Sequence, residues 1–218
     1  MKLEGKIVNF LGDSITEGAG ATDYSRVYHQ ILKNKYILKT ARNYGLGGSR
    51  IARQKQPSAI PSYDYDFLQR ADEMESADII VVFGGTNDWG HGDSIFYDED
   101  SASEYTFCGA CNMLFKKLKQ KYPFAVILAL SPLRRIGDGS PLGEGNRQNG
   151  HPLRDYVEEM KRNAEKHNVF FINLFEKLDY FDPNNVAIGN KYLIDGIHPS
   201  DLGHAIIADV VGEFLLNI

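Results

Sequence analysis

Short apolar runs alternate along this chain with amphipathic stretches, a pattern typical of β-α-β units and a parallel sheet. The run DIIVVFGG at residues 78–85 is apolar on both faces, as expected for a strand that helices cover from both sides. We therefore predict an α/β fold, a three-layer α/β/α sandwich around a central, mainly parallel five-stranded sheet. The predicted strands are 6–11, 36–42, 78–83, 125–131 and 169–172, and the predicted helices are 23–33, 65–74, 103–121, 153–167 and 201–216.

Length, charge and hydropathy limit the class of protein. The 218 residues, of which 43% are hydrophobic, predict one domain spanning residues 1–218 with a sizeable core. A net charge of −5 and the lack of a long Lys/Arg run argue against nucleic acid as a partner. The opening MKLEGK is too short and too acidic for a signal peptide, and no segment approaches a membrane span. We expect a cytoplasmic protein that binds neither nucleic acid nor membrane.

The two cysteines form the short motif Cys108-Gly-Ala-Cys111. A CxxC pair can be a redox centre or half of a zinc site. This pair lies inside a predicted helix, and no second CxxC or histidine pair supplies further ligands. We interpret both residues as reduced thiols packed on a helix face, and we predict no metal site.

Four clusters of small and polar residues follow predicted strands or precede the last predicted helix. In an open parallel sheet, ligands bind beyond the carboxyl ends of the strands, where loops and helix N-termini converge. We therefore expect the clusters to meet at one edge of the sheet. They are GDS at 12–14, NYGLGGS at 43–49, GGTND at 84–88 and DGIHP at 195–199.

Together these clusters hold the groups that acyl transfer requires. A serine hydroxyl becomes a good nucleophile when a base removes its proton, and a histidine suits that role at neutral pH. We assign Ser14 as the nucleophile and His198 as the base. Asp195, three residues before His198, can bond the imidazole Nδ1 and leave Nε2 facing the serine.

A tetrahedral intermediate also needs donors for its oxyanion. Glycine allows a backbone N–H to approach a ligand closely, and asparagine supplies an amide donor. We assign these roles to the N–H of Gly48 and Nδ2 of Asn87, with the N–H of Ser14 as a third donor. Because the second cluster is crowded with glycine, Gly47 is the alternative to Gly48.

The sequences GDSIT, NYGLGGSR, GGTND and DGIHP resemble, in the same order, the four signature blocks of the SGNH hydrolases, also called GDSL esterases and lipases. The resemblance extends from residue 7 to about residue 205. It implies the flavodoxin-like fold of that family, with Ser14 as nucleophile, Gly48 and Asn87 in the oxyanion hole, and Asp195 and His198 as acid and base. Ile15 replaces the leucine of the GDSL name, which is a conservative apolar change. No cofactor is expected.

The substrate is indicated only by two polar insertions, at about residues 89–101 and 132–151. Arg134, Arg135 and Arg147 in the second insertion favour a short acyl chain, such as acetyl, on a polar or sugar-like alcohol. Alternatively, these arginines only solvate a loop. We predict that Arg134 binds substrate and that Trp89 offers a stacking face for a sugar or aryl ring, although packing is an equal alternative for Trp89.

Other functions fit the same residues. A non-catalytic carbohydrate-binding paralogue could keep the cleft, although the intact Ser, Asn and His argue against it. Acyltransferase, thioesterase and lysophospholipase activities would use the same groups. The expected partner is a small-molecule ester, and the sequence does not indicate an oligomeric state.

Overall fold

The computed structural model describes residues 1–93, 95–96, 103–143, 150–185, 187 and 190–218. In this part of the chain, five parallel strands form one sheet in the order β2-β1-β3-β4-β5. The order reverses between β1 and β3, and this switch point is where open α/β sheets bind their ligands. The strands are β1 (Ile7–Gly12), β2 (Thr40–Gly45), β3 (Ile79–Phe83), β4 (Val126–Leu130) and β5 (Phe170–Ile172).

Helices cover the sheet on both sides. The α-helices are α1 (Ser14–Glu17), α2 (Tyr28–Tyr36), α3 (Phe67–Glu73), α4 (Thr86–His91), α5 (Phe107–Lys121), α6 (Leu153–Lys166), α7 (Leu174–Lys177) and α8 (Asp201–Leu216). Short 3₁₀ helices cover Tyr24–Arg26, Pro61–Asp64 and Asp179–Phe181.

Alternating side chains of β3 divide the core into two layers. Ile80 and Val82 pack with residues of α3, α5 and α6 on one face. Val81 and Phe83 pack with residues of α2 and α8 on the other face. Each fully buried aliphatic or phenyl side chain stabilises the fold by about 1.5–3 kcal/mol. The predicted three-layer sandwich with a parallel sheet is confirmed.

Side-chain caps fix where the helices around the sheet edge begin. Asp66 accepts a hydrogen bond from Gln69 N–H at the start of α3, and Ser200 accepts one from Gly203 N–H at the start of α8. Such caps contribute about 1 kcal/mol each. The cap at Ser200 also sets the end of the loop that carries residues 195–199.

The second strand lies later in the chain than predicted. Helix α2 continues to Tyr36, and Ile37 ends it in a left-handed conformation, with φ of 53°. The apolar run that we interpreted as strand is a helix end followed by a turn, whereas β2 is the half-buried segment TARNYG. The prediction was wrong here because an edge strand of polar residues carries no apolar signal.

The structure agrees with the interpretation of the two cysteines as reduced thiols packed on a helix face. Cys108 and Cys111 are free thiols buried on α5, and burial raises the pKa of the Cys108 thiol to about 12. Within the described ranges, no group of three or more His, Cys, Asp or Glu side chains is arranged to hold a metal ion. No helix in those ranges has the length and apolar composition needed to cross a membrane.

Candidate active site

Ser14 is the first residue of α1 and follows the last residue of β1 after a single connecting residue, Asp13. The Asp13 carboxylate caps α1 by accepting the N–H of Ile15 at 3.0 Å. Only 1% of Asp13 is exposed, and this burial raises its pKa to about 6. The sharp strand-to-helix turn places the Ser14 side chain at the carboxyl edge of the sheet, beside the switch point.

Asp195 and His198 share the loop that precedes α8. Oδ1 of Asp195 accepts the backbone N–H groups of Ile197 and His198, at 3.0 and 2.8 Å. Oδ2 lies 2.7 Å from Nδ1 of His198. Partial burial acts to raise the pKa of Asp195, but the hydrogen bonds from the backbone and ring of His198 outweigh it and lower that pKa below its usual range. Asp195 is therefore ionised at neutral pH.

The contacts of His198 define the direction of its hydrogen bonds. Because a carboxylate only accepts, Nδ1 of His198 carries the proton and donates it to Asp195. Nε2 is then an acceptor, and it lies 2.9 Å from Oγ of Ser14. The structure thus joins Ser14, His198 and Asp195 in one chain of hydrogen bonds, with the serine hydroxyl as donor.

The two candidate backbone donors of the second cluster differ in their contacts. The N–H of Gly47 already donates to Oε2 of Glu17 at 2.9 Å. Gly48 lies on the same cleft as Ser14, and its φ of +71° places it in the left-handed region. A Cβ at this position would come within 2.0 Å of the Tyr63 ring, so only glycine fits. These contacts favour Gly48 over Gly47 as the donor for a ligand.

Asn87 lies in the first turn of α4, which begins after the two glycines that follow β3. Its Nδ2 donates to the carbonyl of Ser49 at 3.0 Å, and its Oδ1 lies 3.2 Å from Nε2 of His91. The second hydrogen of Nδ2 has no partner in the part of the chain that the structure describes. Asn87 lines the cleft with Ser14.

Two buried charged residues hold the glycine-rich segment against the sheet. Asp88 accepts the N–H groups of Ile51 and Ala52 at 3.0 and 2.9 Å, and burial raises its pKa to about 6. Arg70 donates to the carbonyl of Gly12 at 2.9 Å and to Oγ of Ser49 at 2.7 Å. These bonds tie the end of β1 to the segment that carries Gly48.

The candidate site is an open cleft of about 500 Å³. It brings Ser14, His198, Gly48 and Asn87 together at the carboxyl edge of the sheet, as predicted, and Asp195 supports it from behind His198. Its lining comes from Ser14, Glu17, Ala19, Leu46, Gly47, Gly48, Ser62, Tyr63, Asn87, His91, Arg135, Ile197 and His198.

The structure does not bring Trp89 or Arg134 to this cleft, which corrects the prediction that they bind substrate. Trp89 is 1% exposed, and its Nε1 donates to the carbonyl of Ser140, so its ring packs in the core. Arg134 pairs with Asp138 and Asp182. The neighbouring Arg135 faces the cleft instead.

Arg147, the third arginine of this insertion, lies outside the described residues, as do parts of both insertions. The described wall of the cleft consists of residues at the carboxyl edge of the sheet together with Tyr63, Arg135 and Ile197.

Comparison with known proteins agrees with this geometry. Residues 10–206 match the model of the GDSL-like Lipase/Acylhydrolase family. The chain belongs to this family. It is accordingly an ester-hydrolysing enzyme. No match was found among curated proteins.

Solved structures share the fold of this GDSL hydrolase over almost its whole length. A protein from Lactobacillus plantarum is 29% identical, with a TM-score of 0.80 and 98% of each chain covered. An acetyl xylan esterase is 21% identical, with a TM-score of 0.66 and coverage of 94% of this chain and 98% of that chain. A member of the lipolytic G-D-S-L family from Veillonella parvula DSM 2008 is 17% identical, with a TM-score of 0.64 and coverage of 97% and 98%.

The side chains that sequence reasoning did not place in the cleft of this GDSL hydrolase include Glu17, Tyr63 and His91. Glu17 and His91 lie one helical turn after Ser14 and Asn87, on α1 and α4. Had the segments after β1 and β3 been predicted as helices, the i, i+3 and i, i+4 spacings would have placed these side chains on the same faces. Tyr63 comes from a 3₁₀ turn that carries no comparable signal.

Proposed function

We propose that this GDSL hydrolase cleaves short-acyl esters of polar or sugar-like alcohols through an acyl-enzyme on Ser14. The observation that carries the proposal is the chain of two short contacts, 2.9 Å from Ser14 Oγ to His198 Nε2 and 2.7 Å from His198 Nδ1 to Asp195. A hydroxyl that donates to a neutral imidazole is ready to lose its proton as it attacks a carbonyl.

The reaction proceeds in two halves. Oγ of Ser14 attacks the ester carbonyl while His198 takes its proton. The tetrahedral intermediate then expels the alcohol, which receives that proton from His198. Water, activated by the same imidazole, adds to the acyl-enzyme and releases the acid. Asp195 remains ionised and stabilises the imidazolium that forms in each half.

Three donors face the oxyanion in this scheme. They are the N–H of Ser14, the N–H of Gly48 and Nδ2 of Asn87. Ser14 is the first residue of α1, so its N–H has no acceptor within the helix. Removing one such donor typically lowers the rate by about 100- to 1000-fold.

The preference for a short acyl chain and a polar alcohol rests on the cleft lining. Glu17, Arg135 and the Tyr63 hydroxyl bring charged and polar groups to the cleft, and the only aliphatic residues among its described lining are Ala19, Leu46 and Ile197. A long alkyl chain would desolvate these polar groups without pairing them, which is unfavourable. The acetyl xylan esterase of the same fold acts on a substrate of this class.

The test of substrate class compares p-nitrophenyl acetate, butyrate and decanoate with acetylated xylo-oligosaccharides. We expect kcat/KM to fall as the acyl chain lengthens and acetate to be released from the sugar esters. Preference for decanoate would contradict the short-acyl proposal. Lack of turnover on every ester would favour a binding protein instead.

The test of the nucleophile is Ser14→Ala, which removes the attacking oxygen. We expect kcat to fall by a factor of about 10⁴ or more with the fold retained, measured by initial rates and circular dichroism. Ser25→Ala, a surface serine that bonds Asp23, is the matched control and should keep wild-type rates. Turnover by Ser14→Ala close to that of the wild type would end the assignment.

A further inference from the structure

The imidazole of His91 lies between the side chains of Asn87 and Arg50. Its Nε2 is 3.2 Å from Oδ1 of Asn87, and its Nδ1 is 3.2 Å from Nη1 of Arg50. His91 and Asn87 are four residues apart on α4, so their side chains share one face of the helix. Arg50 is held in turn by Asp64, whose Oδ1 accepts from Nη2 at 2.9 Å.

These contacts determine which ring nitrogen of His91 carries the proton. A guanidinium can only donate, so Nδ1 of His91 accepts from Arg50. The single N–H of the neutral imidazole is therefore on Nε2. It donates to the amide oxygen of Asn87, which is an acceptor. Arg50, His91 and Asn87 form a hydrogen-bond chain with one direction.

The chain also fixes the orientation of the Asn87 amide. Rotating this amide by 180° would set its oxygen against the carbonyl of Ser49 and its NH₂ group against the N–H of His91. Both contacts would be repulsive, whereas the observed orientation satisfies both neighbours. The second Nδ2 hydrogen is thereby left for a ligand in the cleft.

We propose that His91 is a positioning residue, which holds the Asn87 amide in the orientation that stabilises the oxyanion. The inference rests on the proposed function. A hydrogen bond to Oδ1 polarises the amide and strengthens Nδ2 as a donor. Because the oxyanion exists only during reaction, loss of His91 should lower kcat more than it changes KM.

His91 does not act as a second base in this arrangement. Both of its ring nitrogens are engaged, Nδ1 as an acceptor from Arg50 and Nε2 as a donor to Asn87. Its ring also packs beside that of Tyr63, with centroids 5.2 Å apart. A variant that keeps a planar ring therefore separates packing from hydrogen bonding.

The experiment compares His91→Phe with His91→Gln. Phenylalanine keeps a ring beside Tyr63 but has no N–H, whereas glutamine can present an N–H to Asn87. With p-nitrophenyl acetate, His91→Phe should lower kcat by about 10- to 100-fold, less than loss of the Asn87 donor itself, with KM within about twofold. His91→Gln should recover most of the rate. His151→Phe, which alters a histidine that stacks on Phe96 outside the cleft, is the matched control.

A double-mutant cycle tests whether His91 acts through Asn87. In an Asn87→Ala background, His91→Phe should change kcat by less than about twofold, because the group it positions is already gone. Affinity for a boronic acid that adds to Ser14 as a tetrahedral mimic should fall in His91→Phe in step with kcat. If His91→Phe does not fold, His91→Met against His91→Gln gives the same comparison.

Wild-type kcat in His91→Phe, or an equal loss in both backgrounds, would overturn the positioning role. A wild-type protein without esterase activity, or a fully active Ser14→Ala, would contradict the proposed function instead. The two failures are therefore distinguishable.

Discussion

Gly20 lies where the segment after α1 meets the loop that carries His198. Its φ is +89°, and a Cβ at this position would come within 2.1 Å of the carbonyl oxygen of Pro199. The backbone of His198 and Pro199 leaves no room for a side chain at this position. Gly20 therefore sets the distance between the Ser14 turn and the His198 loop.

Replacing this glycine should separate the reacting groups. Gly20→Ala should lower kcat/KM by at least about tenfold, because a small displacement between nucleophile and base has a large effect on rate. Gly5→Ala is the matched control, since its φ is +76° and no atom lies within 4 Å of its added Cβ. Both variants should lose about 1–3 kcal/mol of stability through backbone strain, measured by urea unfolding. Equal activity in the two variants would show that Gly20 does not set this distance.

The sequence was sufficient to predict the proximity of residues that share a loop or that follow the end of a strand. Asp195 and His198 are three residues apart, and Ser14 and Asn87 follow adjacent strands, so their proximity follows from sheet geometry. Trp89 could not be placed, because the direction of its side chain depends on α4, a helix too short to show a periodic pattern. Arg134 and Arg135 are adjacent in the sequence, and only Arg134 forms ion pairs with both Asp138 and Asp182. Which of the two does so depends on the tertiary structure, so the sequence did not predict it.

Helices α2 and α8 each fix the segment after Ser14 with a histidine. Nε2 of His29 on α2 lies 3.1 Å from the carbonyl of Thr16, and Nε2 of His204 on α8 lies 3.2 Å from the carbonyl of Ala19. Burial lowers the pKa of each histidine to about 4. Both are neutral donors at pH 7, so the two helices position the Ser14 turn without adding charge.

Because the folded state resists protonation of His204, acid should weaken the fold. Its pKa is about 6.5 in the unfolded chain and about 4 in the folded chain, so the unfolded state binds more protons between these values. The contribution of neutral His204 to the free energy of unfolding is fully present above pH 6.5. It is lost as the pH falls toward 4, by up to about 3 kcal/mol. His204→Gln has no imidazole to protonate, so its stability does not fall for this reason. In urea unfolding, the difference in free energy of unfolding between the wild type and His204→Gln should therefore shrink from pH 7 to pH 4.5.

Comparing His204→Gln with the wild type separates the effect of His204 from that of buried carboxyl groups, whose pH dependence has the opposite sign. Asp13 and Asp88 have a pKa raised by burial to about 6, so their contribution to stability increases as the pH falls through that value. A constant difference between wild type and His204→Gln across the pH range would contradict the assignment to His204.

Long helices were predicted closely, and α8 begins and ends at the predicted residues 201 and 216. The predicted helix at 23–33 is instead a 3₁₀ turn followed by α2, because Asp23 caps the turn and Val27 interrupts it in an extended conformation. Helices of four to six residues, such as α1, α4 and α7, were not predicted, since two turns or fewer carry too little pattern.

At the scale of the molecule, the alternation of apolar and amphipathic segments was enough to predict the sandwich but not the order of its strands. That order depends on which crossovers return to each side of β1, and local sequence does not encode it. One domain over residues 1–218 stays a prediction. The candidate site lies at the carboxyl edge of the sheet beside β1 and β3, and it is formed by segments that are far apart in the chain.

The hydroxyl of Ser14 and the imidazole of His198 are 184 positions apart. Under the proposed mechanism, a ribosome translates the nucleophile long before its base. A nascent chain that has passed β3 holds the serine and the oxyanion donors without the group that activates them. We therefore expect chains released by premature termination before residue 195 to lack hydrolytic activity, and activity to arise only when the segment leading into α8 has docked.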